Sequence, residues 1–348
     1  MTFQLIDNPP EASATDFEAY PAYSLGPGHG PSAPERAGKG RSAGVFAFTA
    51  DGTPIRPPYP FQGRIDPAGP FPPAPDRYVL YVSYACPWAH RQLIVRELKG
   101  LQDVIGLAVV DPVRDSRGWA FRSGPDLTRD SYNGFEFLRQ AYDATEPGYP
   151  GHISVPVLWD TETKRIVSNN FPDISLDLGS QFNQWAANPG LDLYPAALRD
   201  EIDELNQLVY DTVNNGVYKA GLAQTQVAYE KAARAVFDTL DRLEARLADR
   251  VYLFGDDLTE ADIRLWVTLA RFDAVYVTHF KTNLRRLADY DNLWDYARYL
   301  WQQPAFGSTT KFDHIKRHYF ITHDHLNPRR IVPIGFESAW SAPTRRGA

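Results

Sequence analysis

The stretch from Arg77 to Gly100 constrains the fold more than any other part of the chain. Tyr78-Val79-Leu80-Tyr81-Val82-Ser83-Tyr84 is rich in β-branched and aromatic residues and reads as a buried strand. Immediately after it, Pro87 suits a first helical position, where no backbone N–H is needed. Ala89, Leu93, Ile94 and Leu98 then keep an apolar stripe until Gly100 marks the stop. A second strand is expected at Val104 to Val110, and two short ones, Ser154 to Trp159 and Arg165 to Ser168, flank the acidic turn Asp160-Thr161-Glu162. With a helix after this hairpin, residues 76–185 make a small α/β layer. The polar, aromatic insert between Asp111 and Gly151 is long for such a unit and is where substrate-specific features belong.

The flanks have a different texture. Residues 1–75 carry 15 of the 28 prolines and 9 of the 24 glycines without a sustained period, which predicts an extended N-terminal segment wrapped over the body. Val45 to Phe48 and Tyr59 to Ile65 offer it apolar anchors. From 190 to 325 the period is helical, with Val236, Leu240, Leu243 and Leu247 on one face. Thr259 and Asp262 have the spacing of an N-cap and its reciprocal partner, so Asp262 reads as structural. Further helices are expected around 195–218, 290–302 and 311–320, and residues 326–348 read as a tail. The fold class is thus α/β followed by all-α.

Charge and cysteine usage narrow the chemistry. With 36 basic and 43 acidic residues the formal charge is −7, which argues against nucleic-acid or anionic-membrane partners. No run approaches the ~18 apolar residues of a spanning helix, and the start lacks a secretory pattern, so a cytoplasmic protein is expected. Cys86 is the one cysteine. It cannot close an internal disulfide, supply a thiolate-rich zinc site or run a two-cysteine redox cycle, leaving an inert buried thiol or a lone nucleophile. Its place between a strand end and a helix start raises the nucleophile reading and leaves both alternatives open. There, unpaired N–H groups and the helix dipole stabilise a thiolate and can lower a thiol pKa from ~8.5 into the ~3.5–7.5 range. His90 and Arg91 lie one turn on. His314 and His318 share a helical face at i, i+4, with His323 and His325 beyond, but no thiolate lies near and the HExxH glutamate is missing, so no metal is expected.

Ser83-Tyr84-Ala85-Cys86-Pro87-Trp88-Ala89-His90-Arg91 closely resembles the active-site signature of the glutathionyl-hydroquinone reductases, the xi class of the glutathione transferase superfamily. Further matching stretches follow in the same order: Gly118 to Phe121, Val155 to Asp160, Asn214 to Gly221, Leu258 to Arg264, Arg271 to Asp273 with Val275 to Val277, and His314 to Tyr319. The resemblance implies a thioredoxin-like N-terminal domain followed by an all-helical C-terminal domain, and a homodimer. It also implies that Cys86 attacks the sulfur of a glutathionyl-hydroquinone, forming a mixed disulfide that a second glutathione resolves. By the same resemblance Trp119 lies against the bound thiol. Val155, before a cis Pro156, pairs its backbone with the thiol's cysteinyl amide, while Tyr218 and Tyr319 face the aromatic substrate. A phenol there can hydrogen-bond a hydroquinone oxygen and donate a proton as the C–S bond breaks.

One position departs from the pattern. After Arg165 to Asn169 the family continues with a Glu-Ser pair that holds the γ-glutamyl end of glutathione, where this chain has Asn170-Phe171 and then Pro172. Each lost charge-assisted hydrogen bond should cost about 1.5–3 kcal/mol. Two expectations follow: glutathione binds with Asn170 and main-chain groups substituting, or another low-molecular-weight thiol such as mycothiol is used. A non-catalytic, ligand-binding or regulatory member of the fold is the remaining alternative.

Overall fold

The computed structural model describes residues 2–21 and 47–347. Val45 and Phe46, half of one expected anchor, lie outside the described residues. The chain forms two compact units, and each draws on three stretches of it. Of the described residues, the first unit holds 2–21, 57–191 and 317–332, and the second holds 47–56, 192–316 and 333–347. This division cuts across the consecutive order 1–75, 76–185, 190–325 and 326–348 expected from the sequence. Backbone hydrogen bonds give the reason, since polar groups of a chain segment must find partners where it docks. Ile6 N–H donates to Ser131 O at 2.7 Å and Ala12 N–H to Phe121 O at 3.1 Å, sewing the N-terminal strap onto the insert of the first unit. A short hairpin of β1 (Ala47–Phe48) and β2 (Pro54–Ile55) joins the second unit instead, where Gln224 N–H donates to Gly52 O at 3.0 Å.

The first unit is built on a four-stranded mixed sheet of β3 (Tyr78–Val82), β4 (Gly106–Val109), β5 (Val157–Asp160) and β6 (Arg165–Ser168). Its spatial order is β4-β3-β5-β6, with β3 parallel to β4 and antiparallel to β5. All of β3 is buried, as its uncharged sequence requires. Helix α1 (Pro87–Lys99) runs between β3 and β4, has proline in its first turn and ends at Gly100, whose φ of 65° is the left-handed conformation that glycine adopts without strain. It packs on α3 (Phe171–Ser180), while α2 (Arg139–Thr145), not foreseen in the insert, packs beside β6. This is the thioredoxin-like layer. Where β3 meets β5, Arg77 grips Asp160 with two hydrogen bonds of 2.8 and 2.7 Å. Burial works to raise the Asp160 carboxyl, but the bonds from Arg77 and Thr163 outweigh it and hold its pKa below the usual range.

The strands are shorter than expected, for local reasons. Pairing expected from Ser154 begins at Val157, because Pro156 has no N–H to give a ladder and follows Val155 through a cis bond. The strand expected to reach Tyr84 ends at Val82, where the chain turns and Cys86 N–H donates to Ser83 O at 3.0 Å.

The second unit is helical: α4 (Arg199–Val209), α5 (Gly216–Gly221), α6 (Gln226–Arg246), α7 (Glu260–Arg271), α8 (Val277–His279), α9 (Asp291–Gln302), α10 (Pro304–Gly307) and α11 (Phe312–Arg317). Val236, Leu240 and Leu243 of α6 and Leu247 at its end are buried. Thr259 and Asp262 form the capping box that starts α7. The Asp262 carboxylate also accepts from Leu253 N–H at 2.9 Å and Tyr296 OH at 2.8 Å, and burial pushes its pKa up. The helical stretches expected around 195–218 and 311–320 contain π-helical turns at Tyr210–Asn214 and His318–Thr322, the second of which falls in the first unit. Among the described residues no helix is long and apolar enough to cross a membrane.

Candidate active site

Cys86 is the N-cap of α1, in extended conformation with Pro87 behind it and no acidic residue in the first turn. The thiol therefore sits at the positive end of the helix dipole without a competing carboxylate in that turn, an arrangement that stabilises a thiolate. Cys86 is 9% exposed, and its Sγ lies 3.4 Å from the Val155 carbonyl oxygen, which accepts from the thiol. The Ser154–Val155 loop is itself held by Tyr142 of α2. Its hydroxyl donates to Ser154 O at 2.9 Å and accepts from Ser154 N–H at 3.1 Å and Asn169 Nδ2 at 3.2 Å. Complete burial pushes the Tyr142 phenol far above its ordinary pKa, so it stays a neutral donor.

Trp119 and Tyr319, far apart in sequence, belong to one aromatic cluster in the first unit. The indole is 4% exposed, stacks on His318 at 5.3 Å and 16°, and lies 4.0 Å from the Arg114 guanidinium. Its Nε1–H has no hydrogen-bond partner among the described residues. Tyr319 follows in the π-turn, packed edge-on against His318 and His323. Tyr218 belongs to the second unit, on α5. There Phe280 packs at 5.1 Å and the Arg56 guanidinium, whose Nε–H donates to Asn215 Oδ1 at 3.2 Å, lies 5.2 Å from the ring centre. Among the described residues no group of three or more His, Cys, Asp or Glu is placed to hold a metal.

Asn170 is the N-cap of α3, but its side chain does not cap. Its Nδ2 donates to Asp173 Oδ2 at 2.7 Å, and Asp173 also pairs with Arg64 at 3.4 Å. Phe171 is 2% exposed, its ring stacked on Trp88 at 4.6 Å and edge-on to Tyr59 at 5.3 Å. The Arg91 guanidinium lies 5.0 Å from both the Trp88 and Phe171 rings. Gln92 Nε2 completes the junction by donating to Phe171 O at 2.6 Å. Phe171 is therefore packed between α1 and the start of α3, and the one acidic side chain in that helix turn is Asp173.

Known proteins are similar to this chain in sequence and fold. The glutathionyl-hydroquinone reductase YqjG of Escherichia coli is 49% identical over 298 residues, covering 85% of this chain and 88% of the relative. The chain belongs to the glutathionyl-hydroquinone reductases, the xi-class glutathione transferases. The crystal structure of the xi transferase from Phanerochaete chrysosporium superposes with a TM-score of 0.82 at 50% identity, covering 86% of this chain and 97% of that one. The glutathione-bound structure of YqjG superposes at 0.78 and 47% identity, covering 86% and 94%. Residues 226–298 match the family model of the glutathione S-transferase C-terminal domain.

Sequence reasoning on this xi-class chain missed three supports of the site. Tyr142 sits in a short helix whose seven residues carry too little periodicity to be seen. Arg91 folds back toward Trp88 and Phe171, a choice of rotamer that no sequence spacing decides. The role of His318 beside Trp119 depends on a contact with a residue 206 positions earlier in sequence, with Nδ1 2.7 Å from Pro112 O.

Proposed function

We propose that the chain is a thiol-dependent reductase that removes glutathione from hydroquinones, with Cys86 as its nucleophile. The Cys86 thiolate attacks the sulfur of the aryl thioether. An S–S bond forms, the C–S bond breaks, and the electron pair leaves with the ring carbon, which takes up a proton to give the free hydroquinone. A second glutathione thiolate then attacks the mixed disulfide, releasing glutathione disulfide and regenerating Cys86. The net change consumes one free thiol and reduces one aryl carbon. Trp119 and Val155 are the thiol-side residues of this reading, with Asn170 and Phe171 at its γ-glutamyl end. Tyr218 and Tyr319 are the acceptor-side phenols, either of which can supply the proton.

The single observation that carries the reading is a lone cysteine at the start of a helix, 3.4 Å from the carbonyl that precedes a cis proline. The buried Trp119 Nε1–H supports a ligand on that side, since buried donors are as a rule satisfied. The resemblance supports a homodimer, to be checked by light scattering, and a thiol cycle of this kind suits the reduced thiol pool of a cytoplasm. Replacing Cys86 with Ser should abolish release of hydroquinone from its glutathione adduct, and turnover retained in Cys86→Ser overturns the mechanism. Titration of the thiol separates this reading from a non-catalytic one: a pKa near ~8.5 with slow alkylation would mark an unactivated cysteine.

The relatives support glutathione, and a second reading, the same chemistry with a thiol lacking a γ-glutamyl arm, rests on one local observation. The Phe171 ring is buried where the family carries a hydroxyl donor, and the Asn170 amide is spent on Asp173. Comparing turnover of hydroquinone adducts of glutathione and mycothiol decides it. Efficient turnover with glutathione at millimolar levels excludes the second thiol as a requirement.

A further inference from the structure

We propose that His318 is a positioning residue of this site, one imidazole that sets Trp119 and Tyr319 in fixed relation to each other. The inference rests on the reading of Cys86, Trp119 and Tyr319 given above. A carbonyl oxygen only accepts, so the 2.7 Å contact to Pro112 O requires the hydrogen on Nδ1 and fixes both tautomer and ring plane. In that plane the ring lies nearly parallel to the Trp119 indole, at 16°, and edge-on to the Tyr319 phenol, at 83°. Turning the imidazole would break the hydrogen bond and the stack at once.

A second tie makes the junction rigid. Arg114 N–H donates to Thr322 Oγ1 at 3.4 Å, and the Arg114 guanidinium sits over Trp119. Loop residues 112 and 114 are thereby fastened to 318 and 322, near the two ends of the π-helical turn that carries Tyr319. Such single π-turns recur at functional sites because they re-aim side chains that a regular helix would place elsewhere. His318 is 7% exposed, so these contacts are largely shielded from solvent. The thiol-side indole and the acceptor-side phenol therefore share one reference point, and neither can shift without the other.

Two variants separate the parts of the junction. His318→Phe keeps a ring to stack and loses the hydrogen bond, while His318→Asn keeps an amide donor for Pro112 and loses the ring. The assay is steady-state reduction of glutathionyl-hydroquinone, with thermal melting in parallel and Cys86→Ser as control. Each variant should raise KM for the resolving thiol, by about three- to tenfold, with kcat within about twofold. In a Trp119→Leu background the His318→Asn change should add little, because the indole it positions is gone. Wild-type KM in both variants, or effects that simply multiply in the double variant, overturns the inference even if melting points fall. A loss confined to kcat overturns it too, since that leaves the thiol-side indole undisturbed. Turnover retained in Cys86→Ser instead sinks the underlying reading, independently of position 318.

Discussion

Phe171→Ser puts the departure at the γ-glutamyl end to a quantitative test. The ring is 2% exposed and contacts Trp88, Tyr59 and the Arg91 guanidinium. An aromatic side chain buries ~200 Å² at ~25 cal/mol per Å², which sets an upper bound of about 5 kcal/mol. Large-to-small changes at such sites cost about 3–5 kcal/mol once the cavity is included. At roughly 2–4 °C per kcal/mol for a unit of this size, the melting temperature should fall by roughly 10 °C. Urea titration followed by circular dichroism gives the free energy directly. A loss below about 1 kcal/mol would refute the claim that the ring is a packed element of the α1–α3 junction. The paired change Asn170→Glu with Phe171→Ser should, despite that loss, lower KM for glutathione about tenfold or more, since each restored charge-assisted bond contributes about 1.5–3 kcal/mol. A stable double variant with unchanged KM would show that these positions do not select the thiol.

Two further outcomes follow from buried carboxylates. Asp262→Asn turns one accepting oxygen into a donor facing Leu253 N–H or Thr259 N–H and should cost about 1–3 kcal/mol by urea titration. Burial raises the Asp262 pKa above its unfolded value of 3.8, so its contribution is full below that pH and lost as pH rises through the folded value. That part of the wild-type pH slope should vanish in the variant. Arg77→Met leaves the Asp160 carboxylate buried beside Thr163 without its guanidinium and should cost about 3–5 kcal/mol at neutral pH. Asp160 is held below 3.8, so its contribution is present above that pH and lost as acid protonates it. Acid titration of Arg77→Met should show a smaller loss on that side than the wild-type chain.

Local signals made much of the fold legible. Proline at the start and glycine at the end bracket α1, the Thr259–Asp262 spacing marks the start of α7, and an uncharged run marks β3, because each signal is the direct cause of the local geometry. The placement of Cys86 was legible for the same reason, as it falls between a strand end and a helix start. The partition into units was not legible. Residues 317–332 follow a helical stretch in sequence, and what draws them to the first unit is a set of contacts with residues 112 to 119 that leave no local pattern. The π-turns escaped too, because an extra residue in a helical turn changes the period for too few residues to register. At Asn170-Phe171 the resemblance showed that something had changed, and only packing showed that Phe171 had become part of the interior.

The three-part make-up of the first unit bears on how the chain is born. A ribosome that has released residues 57–191 must still synthesise the stretch up to Arg317 before His318 and Thr322 exist to meet Pro112 and Arg114. At ~5–20 residues per second that interval is roughly 6–25 s. Throughout it the sheet and α1 can form around Cys86, but the Trp119 loop has no C-terminal segment to dock against. The nascent protein thus carries its one thiol well before the contacts that fasten the Trp119 loop to His318 and Thr322 can form.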